Sequence, residues 1–404
     1  MARSPLEGLK VLDMAWLMVG PESARYLGDL GAEVVKLESG VRRDPLRSLG
    51  PFKNGVPGPH LSLSYHAINA GKRSLALDLK DPRGHDAVLR LARWADVVVE
   101  AFTPGVAESL KVSYSHLRRE NPRLIMVSTA VLGTKGPSTI GLSGTGVTGS
   151  ALSGATNLVG WPDRDATGPN GPWTDSVSPR FIVTAILAAL HRRERTGEGC
   201  FIDASQAECG IQFMMPAYFE FAVNGVVPQR RGHAGSPLRS PSGVYPCQGK
   251  DRWVAIETTD DEAWQALRGV VGAPLADSRF DTLVGRLRHR QALDEALAGY
   301  TAARENGEVE RTLQALGVPC HIVSDAGDLA VDPDLQADAY YCEIEDPEIG
   351  RTTTRGPQSR LSRTPHPPTR PGPRIGDSSR DILVSICGLS GDEVDALERD
   401  GLLR

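Results

Sequence analysis

From residue 9 to about 132 the chain alternates short runs of apolar, largely β-branched residues with stretches of helical period. "LKVLDMA", "AEVVKLE", "RSLALDL", "ADVVVEAF" and "LIMVSTAV" are nearly unbroken in apolar character, and Gly, Pro or Asp bounds each of them. A strand with one wet face alternates apolar and polar positions, whereas an unbroken run suits a strand covered on both faces. Between these runs, "PESARYLGDLG", "DPRGHDAVLRLARW" and "SYSHLRREN" carry an amphipathic helical pattern. Strand and helix in alternation predict an α/β fold with a doubly wound parallel sheet.

Residues 133–178 break the rhythm with glycine, serine, threonine and proline. A long irregular stretch inside an α/β domain points to a functional loop region. It ends in "GPWTDSVSPRFIVTAILAAL", residues 171–190, where a helix is expected from Pro179 to about Glu194. A turn and strand follow in "GEGCFIDASQAE", then a helix in "AECGIQFMMPAYFEFAVNG". Further on, "GVYPCQGKDRWVAIET" predicts two strands about a Gly249-Lys250-Asp251 turn, with helices in "DDEAWQALRGVVG" and "GEVERTLQALG" and a strand in "VPCHIVS". Residues 352–374 hold too much Pro and Arg for regular structure and are expected to run extended over a surface. The tail returns to helix, with Ser390 and Glu393 at capping-box spacing. The expected organisation is a large Rossmann-like domain over 1–205 completed by 375–404, and a connecting helix over 206–225. A small α+β domain over 226–330 and an extended return linker over 331–374 complete it.

Length agrees with two domains, since 404 residues exceed one ordinary core. A formal charge of -5 supplies no field for a polyanion, and the basic clusters "HRRER" and "RLRHR" are short, so nucleic acid is not an expected partner. Six cysteines are scattered singly, without a CxxC pair or a histidine at ligand spacing, and read as free thiols; no metal site is expected. Asp13 interrupts the apolar N-terminus, and no segment approaches 18 uninterrupted apolar residues. The expected location is the cytoplasm, with no membrane association.

Among the motifs, "GTGVTG" at Gly144–Gly149 formally matches the dinucleotide fingerprint GxGxxG. That fingerprint needs a strand directly before it and an acid about 20 residues on at a strand end. Here the preceding strand ends near residue 132, and Asp163 and Asp165 lie in the loop "WPDRDATGP", so a nicotinamide or flavin is not expected. No GxSxG is present, and no histidine sits in a local motif with serine or cysteine.

Asp175 remains. An aspartate just ahead of a helix is ordinarily its N-cap. Ser178-Pro179, however, already supplies a cap and a first-turn proline, which leaves Asp175 three residues upstream, near the positive end of the helix. An ionised, weakly solvated carboxylate there can attack an activated acyl group such as a thioester.

Six segments in order carry a resemblance: "GLKVLDMAWLMVGPESARYLGDLGAEVVKLE", "NAGKRSLALDL", "ADVVVEAFTPG", "NPRLIMVSTAVLGTKGP", "TDSVSPRFIVTAILAALHRRERTGEG" and "IGDSSRDILVSICGLSGDEVDALERDGLL". From about residue 8 to the C-terminus the chain resembles the class III CoA-transferases, the CaiB/BaiF family. The resemblance implies that Asp175 is the catalytic nucleophile, passing through an aspartyl mixed anhydride and an aspartyl-CoA thioester. Coenzyme A is then a substrate, delivered as an acyl-CoA and received by a carboxylic acid, with no permanently bound cofactor. It also implies CoA contacts at Met18, Val19, Asn69, Ala70, Gly71, Lys72 and Phe102, with Lys72, Arg73, Arg42 and Arg43 as candidate cations for its phosphates. The implied assembly is a homodimer of interlocked chains.

The chain departs from the family pattern at Ala101, where an asparagine is usual, and at Ser109, where an arginine is common. The loop "RRGHAGSPLRSPSG" has only three glycines, which argues against formyl or oxalyl transfer. "LVGWPDRDATGP" and "GVYPCQGKDRWVAIE" look more like the branch that handles larger acids, including the benzylsuccinate-type enzymes. Two alternatives stay open. One is an α-methylacyl-CoA racemase of the same fold, although "GLSGTGVTG" lacks the histidine of that branch. The other is a poorly active partner subunit of a heteromeric transferase.

Overall fold

The computed structural model describes residues 4–136, 144–338, 340–357, 359–364 and 370–403. Two compact units emerge: Met1–Thr156, Pro169–Val226 and Asp334–Arg404 form the larger, Asn157–Gly168 and Val227–Pro333 the smaller.

The larger unit is built on β1 (Lys10–Asp13), β2 (Glu33–Glu38), β3 (Arg73–Ala76), β4 (Val97–Glu100), β5 (Ile125–Ser128) and β6 (Cys200–Asp203). They form one six-stranded sheet in the order β3-β2-β1-β4-β5-β6, parallel throughout. Successive side chains leave a strand on opposite faces, and here both faces are dry. Leu12, Val35, Val98 and Met126 enter one apolar cluster; Val11, Val34, Val97 and Ile125 enter another. The first cluster is closed by α3 (Pro82–Trp94) through Val88 and Leu91, and by the C-terminal helices Ser379–Ser385 and Gly391–Arg399 through Ile382, Leu383, Val394 and Leu397. The second is closed by α1 (Val19–Asp29) through Ala24 and Leu27, and by α5 (Trp173–Thr196) through Ile182 and Ile186. The unbroken apolar runs follow from this double coverage.

Chain order reverses between β1 and β4, so the segments leaving those two strands diverge at their carboxyl ends, where ligands of open α/β sheets bind. Three further helices frame that end: α2 (Leu63–Asn69), α4 (Gly146–Leu152) and α6 (Gln206–Asn224).

Two expectations need correction. The helix expected from Pro179 begins at Trp173, which puts Pro179 in its interior and Ser178 in a fully buried position rather than at a cap. Tertiary contacts outweigh the local start signal: the Trp173 ring meets Phe213 of α6 edge-on at 5.8 Å, and the Thr174 hydroxyl donates to Gly146 O at 3.0 Å. The segment 331–374 is not wholly extended either. It contains the helix Pro333–Ala337 and an antiparallel hairpin of Tyr341–Asp346 with Gly350–Arg355, whose Ile344 and Thr354 are buried. "TTTR" is β-prone by its threonines, which the Pro and Arg content obscured. Residues 365–369 of the expected extended run lie outside the described residues.

The smaller unit carries a three-stranded antiparallel sheet of Ser242–Pro246, Trp253–Glu257 and Cys320–Ile322. Helices Asp261–Val271, Arg290–Ala302 and Asn306–Gln314 pack on it through Trp264, Leu267, Leu293, Leu297, Val309 and Leu313. The helix Arg290–Ala302 was not anticipated, although Leu293 and Leu297 stand at helical spacing. Among the described residues no helix is long and apolar enough to cross a membrane.

Candidate active site

Asp175 occupies the third position of α5, inside the first turn rather than ahead of it. Its backbone N–H donates to Pro172 O at 3.0 Å, and Pro179, four residues on, has no N–H to return to the Asp175 carbonyl. The residue is only 8% exposed. Burial pushes its pKa from the ordinary 3.8 up to about 6, while the Gly146 backbone N–H, bonded to the carboxylate, pulls it back. The acid therefore stays mostly ionised at pH 7, yet is poorly solvated.

The partner surface is the glycine motif that resembled a dinucleotide fingerprint. Gly146 opens α4, and a β-carbon there would fall 2.5 Å from the Asp175 carboxyl carbon and 2.6 Å from Pro172 Cβ. One turn on, a β-carbon at Gly149 would fall 2.4 Å from the Thr174 hydroxyl oxygen. Residues three apart share a helix face, so Gly146 and Gly149 give the start of α5 a bare backbone to lie against. Sequence reasoning missed this role; the i, i+3 glycine spacing was its only signal. Gly146→Ala is expected to displace the carboxylate and lower kcat by about a hundredfold, the cost of misplacing a reacting group by roughly 1 Å. A steady-state assay of wild type and variant checks this, and a loss under threefold would remove Gly146 from the site.

Of the residues proposed to hold CoA, Met18 and Val19 follow β1, Arg42 follows β2 and Phe102 follows β4, at the carboxyl ends of those strands, whereas Asn69–Lys72 lead into the amino end of β3, which Arg73 opens. Met18 caps α1 without a side-chain hydrogen bond, and Val19 is buried behind it. Gly20 allows that close start: a β-carbon there would meet Ala15 Cβ at 2.2 Å. Arg42 is exposed, with its backbone N–H bonded to the Ser39 hydroxyl at 3.3 Å. Phe102 packs half-buried against the cluster of Leu12 and Val98, and its N–H donates to Glu100 Oε2 at 2.6 Å.

Lys72 is the sharpest departure from the expected role. Its ammonium lies at 3% exposure and donates to Asp13 Oδ2 at 2.7 Å, Pro21 O at 2.7 Å and Asn69 Oδ1 at 2.8 Å. An ammonium has three donors, so none is left for a phosphate in this arrangement. Burial lowers its pKa to about 8, against the opposing pull of Asp13. Arg73 is likewise engaged, paired with Glu33 and Asp381, and Glu33 is the first residue of β2. Ala70 is buried, and Gly71, in the left-handed region at φ 80°, gives its N–H to Arg370 O at 3.1 Å. Lys72, Asn69 and the loop after β1 are thus brought together, but as a scaffold of internal bonds.

Over residues 6–379 the chain matches the family described as CoA-transferase family III. It belongs to that family. A succinyl-CoA–D-citramalate CoA-transferase from Chloroflexus aurantiacus is 30% identical over 98% of this chain and 97% of its own length. A succinate–glutarate CoA-transferase from Agrobacterium fabrum is 30% identical over 95% of this chain and 96% of its own. Among solved structures, a CaiB/BaiF family protein from Brucella suis superimposes with a TM-score of 0.86 at 28% identity, covering 95% of this chain and all (100%) of that one. The chain is accordingly an enzyme of the CoA-transferase kind, acting on CoA thioesters.

Proposed function

We propose that this enzyme moves CoA from an acyl-CoA to a free carboxylic acid by covalent catalysis on Asp175. The carboxylate attacks the thioester carbonyl, forming a mixed anhydride and expelling CoA thiolate. The thiolate then attacks the aspartyl carbonyl, giving an enzyme-CoA thioester and the donor acid. The acceptor carboxylate attacks that thioester, and the returning thiolate cleaves the new anhydride at the acceptor carbonyl, which regenerates Asp175. Each step exchanges one activated acyl bond for another, so no external energy source is required.

The observation that carries this reading is the buried, mostly ionised Asp175 in the first turn of α5, seated on the Gly146 N–H. A racemase would set a histidine beside such an acid; no charged neighbour contributes to the shift of Asp175 among the described residues. Residues 141–143 of the stretch matched to the racemase histidine segment lie outside the described residues, and that stretch has no histidine in sequence.

Several of the relatives pair succinyl-CoA or succinate with D-citramalate, glutarate or L-malate, and one pairs acetyl-CoA with oxalate. We infer a short dicarboxylic acid as acceptor and succinyl-CoA as donor, with larger benzylsuccinate-type acids as the competing arm of a substrate panel. Intact-mass measurement after mixing with each acyl-CoA, with hydroxylamine trapping, tests the covalent sequence. A CoA or hydroxamate adduct is expected on the wild-type chain, and its persistence in Asp175→Asn would refute the nucleophile. The homodimer fits the exposed apolar residues of α6, where Phe213, Tyr218, Phe219, Phe221 and Val223, spread around the helix, are all more than half exposed in the single chain, at 52% to 78%. A monomeric mass by light scattering at assay concentration excludes it.

A further inference from the structure

The segment leaving β1 holds one residue in a conformation that its side chain disfavours. Leu17 lies at φ 64°, in the left-handed region, where a non-glycine residue costs about 1–2 kcal/mol. Loops relax out of such conformations unless they are held. Here the hold is explicit and buried. Asp44 Oδ1 accepts the Leu17 N–H at 3.0 Å, and its other oxygen, Oδ2, pairs with Lys36 at 3.0 Å, with both side chains at 0% exposure. Lys36 donates in turn to Ala15 O at 2.9 Å, and Asp13 Oδ1 accepts the Ala15 N–H at 3.0 Å. Lys72 ties Asp13 to Pro21 O, inside the first turn of α1. Four buried charged groups therefore fix a loop of a few residues that leads directly into the uncapped start of α1.

Leu17 is half-buried, and a glycine would adopt the same φ without penalty. Strain retained at the mouth of the sheet, on the segment that carries Met18 and Val19, indicates a loop shaped for a ligand rather than for stability.

We propose that Leu17 is a positioning residue: held left-handed by Asp44, it presets the loop Ala15–Val19 for the acyl-CoA, and the enzyme gives up stability to keep it so. The β-carbon of leucine makes this backbone narrow. In the left-handed region an L-residue has one small allowed basin, whereas glycine there has a broad one. Leu17→Gly keeps the hydrogen bond to Asp44 available, removes the strain and widens the range of loop conformations. The inference rests on the CoA-transfer reading above.

The test measures unfolding midpoint, acyl-CoA affinity by calorimetry, and steady-state kinetics for wild type, Leu17→Gly and Leu17→Ala. Leu17→Gly is expected to unfold at a higher temperature, yet to show Kd and KM for acyl-CoA raised about tenfold, with kcat at saturation changed far less. Leu17→Ala keeps the β-carbon and the strain, so it is expected to raise KM less than Leu17→Gly does. A Leu17→Gly enzyme that binds acyl-CoA as tightly as wild type overturns the proposal, as does one with no gain in stability. A larger KM effect for alanine than for glycine assigns the role to the isobutyl group and overturns it too. If the wild-type chain neither binds nor exchanges CoA, the functional reading falls and takes this one with it.

Discussion

Asp175→Asn is expected to end CoA transfer and, at neutral pH, to make the protein more stable. Loss of the proposed nucleophile should cost at least about a thousandfold in kcat, because an amide cannot form the proposed anhydride. The stability effect follows from the same burial. The Asp175 pKa rises from 3.8 to about 6, because burial disfavours its charged form. Each unit is worth about 1.36 kcal/mol, so the charged acid costs the fold roughly 2–3 kcal/mol once both states are ionised. The sign is fixed by proton uptake. Between about pH 4 and pH 6 the folded state holds a proton that the unfolded state has released, so stability falls as pH rises through that window and levels off above it. Asparagine is neutral throughout and still offers Gly146 N–H an acceptor. The advantage of the variant should therefore be near zero at pH 4, grow through pH 6 and reach roughly 2–3 kcal/mol at pH 7.5. Urea unfolding at those three pH values reads it directly. An advantage that does not change with pH would show that asparagine acts through packing and that the carboxylate is not strained by burial. The same ionisation should appear in catalysis, with kcat/KM for the first half-reaction rising with pH to a plateau above about 7.

The sheet was legible in the sequence because its signal is local and redundant. Strands buried on both faces must be apolar at nearly every position, and five such runs stood between Gly, Pro and Asp boundaries. Their lateral order is not a local property, and it emerged only with the paired registers. Asp175 was singled out through its distance from Ser178-Pro179 and through the family resemblance, and the structure places it buried beside Gly146. The first argument proved incorrect in its geometry, since the helix starts six residues earlier. What fixes that start is a pair of contacts far away in sequence, Thr174 to Gly146 and Trp173 to Phe213. No window around residue 175 contains them. The same limit explains Lys72. Through the family resemblance it read as a phosphate cation, and only the three-dimensional arrangement brings Asp13, Pro21 and Asn69 around it. A charge in a sequence has no direction until its partners are placed.

Arg47→Ala is expected to be the most destabilising single change in the larger unit. Arg47 is 1% exposed and spends its planar fork on four groups that are distant in the chain. It pairs with Glu38 at the end of β2, donates to the Tyr65 hydroxyl of α2 at 2.6 Å, and reaches Pro373 O at 2.9 Å and Pro59 O at 3.1 Å. Its guanidinium carbon also lies 3.6 Å from the centre of the Tyr65 ring. Truncation leaves the Glu38 carboxylate, whose side chain is at 0% exposure, without its cation, and breaking a buried pair in this way costs about 3–5 kcal/mol. Arg47→Lys should recover little, because one ammonium cannot serve an acid, a phenol and two carbonyls that lie in different directions. Removing both charges, with Arg47→Met and Glu38→Leu together, should restore a good part of the loss, since the penalty lies in the orphaned charge more than in the missing pair. The deficit should also persist at about 0.5 M salt, which screens exposed pairs but not this one. Denaturant midpoints of the three variants decide the matter. A loss below about 1 kcal/mol for Arg47→Ala would mean that Glu38 finds another partner or water. The full loss, largely restored by the double replacement, would place the penalty on the Glu38 charge, while the bonds from Arg47 to Tyr65 of α2 and to Pro373 O make up the part that the double replacement leaves unrecovered.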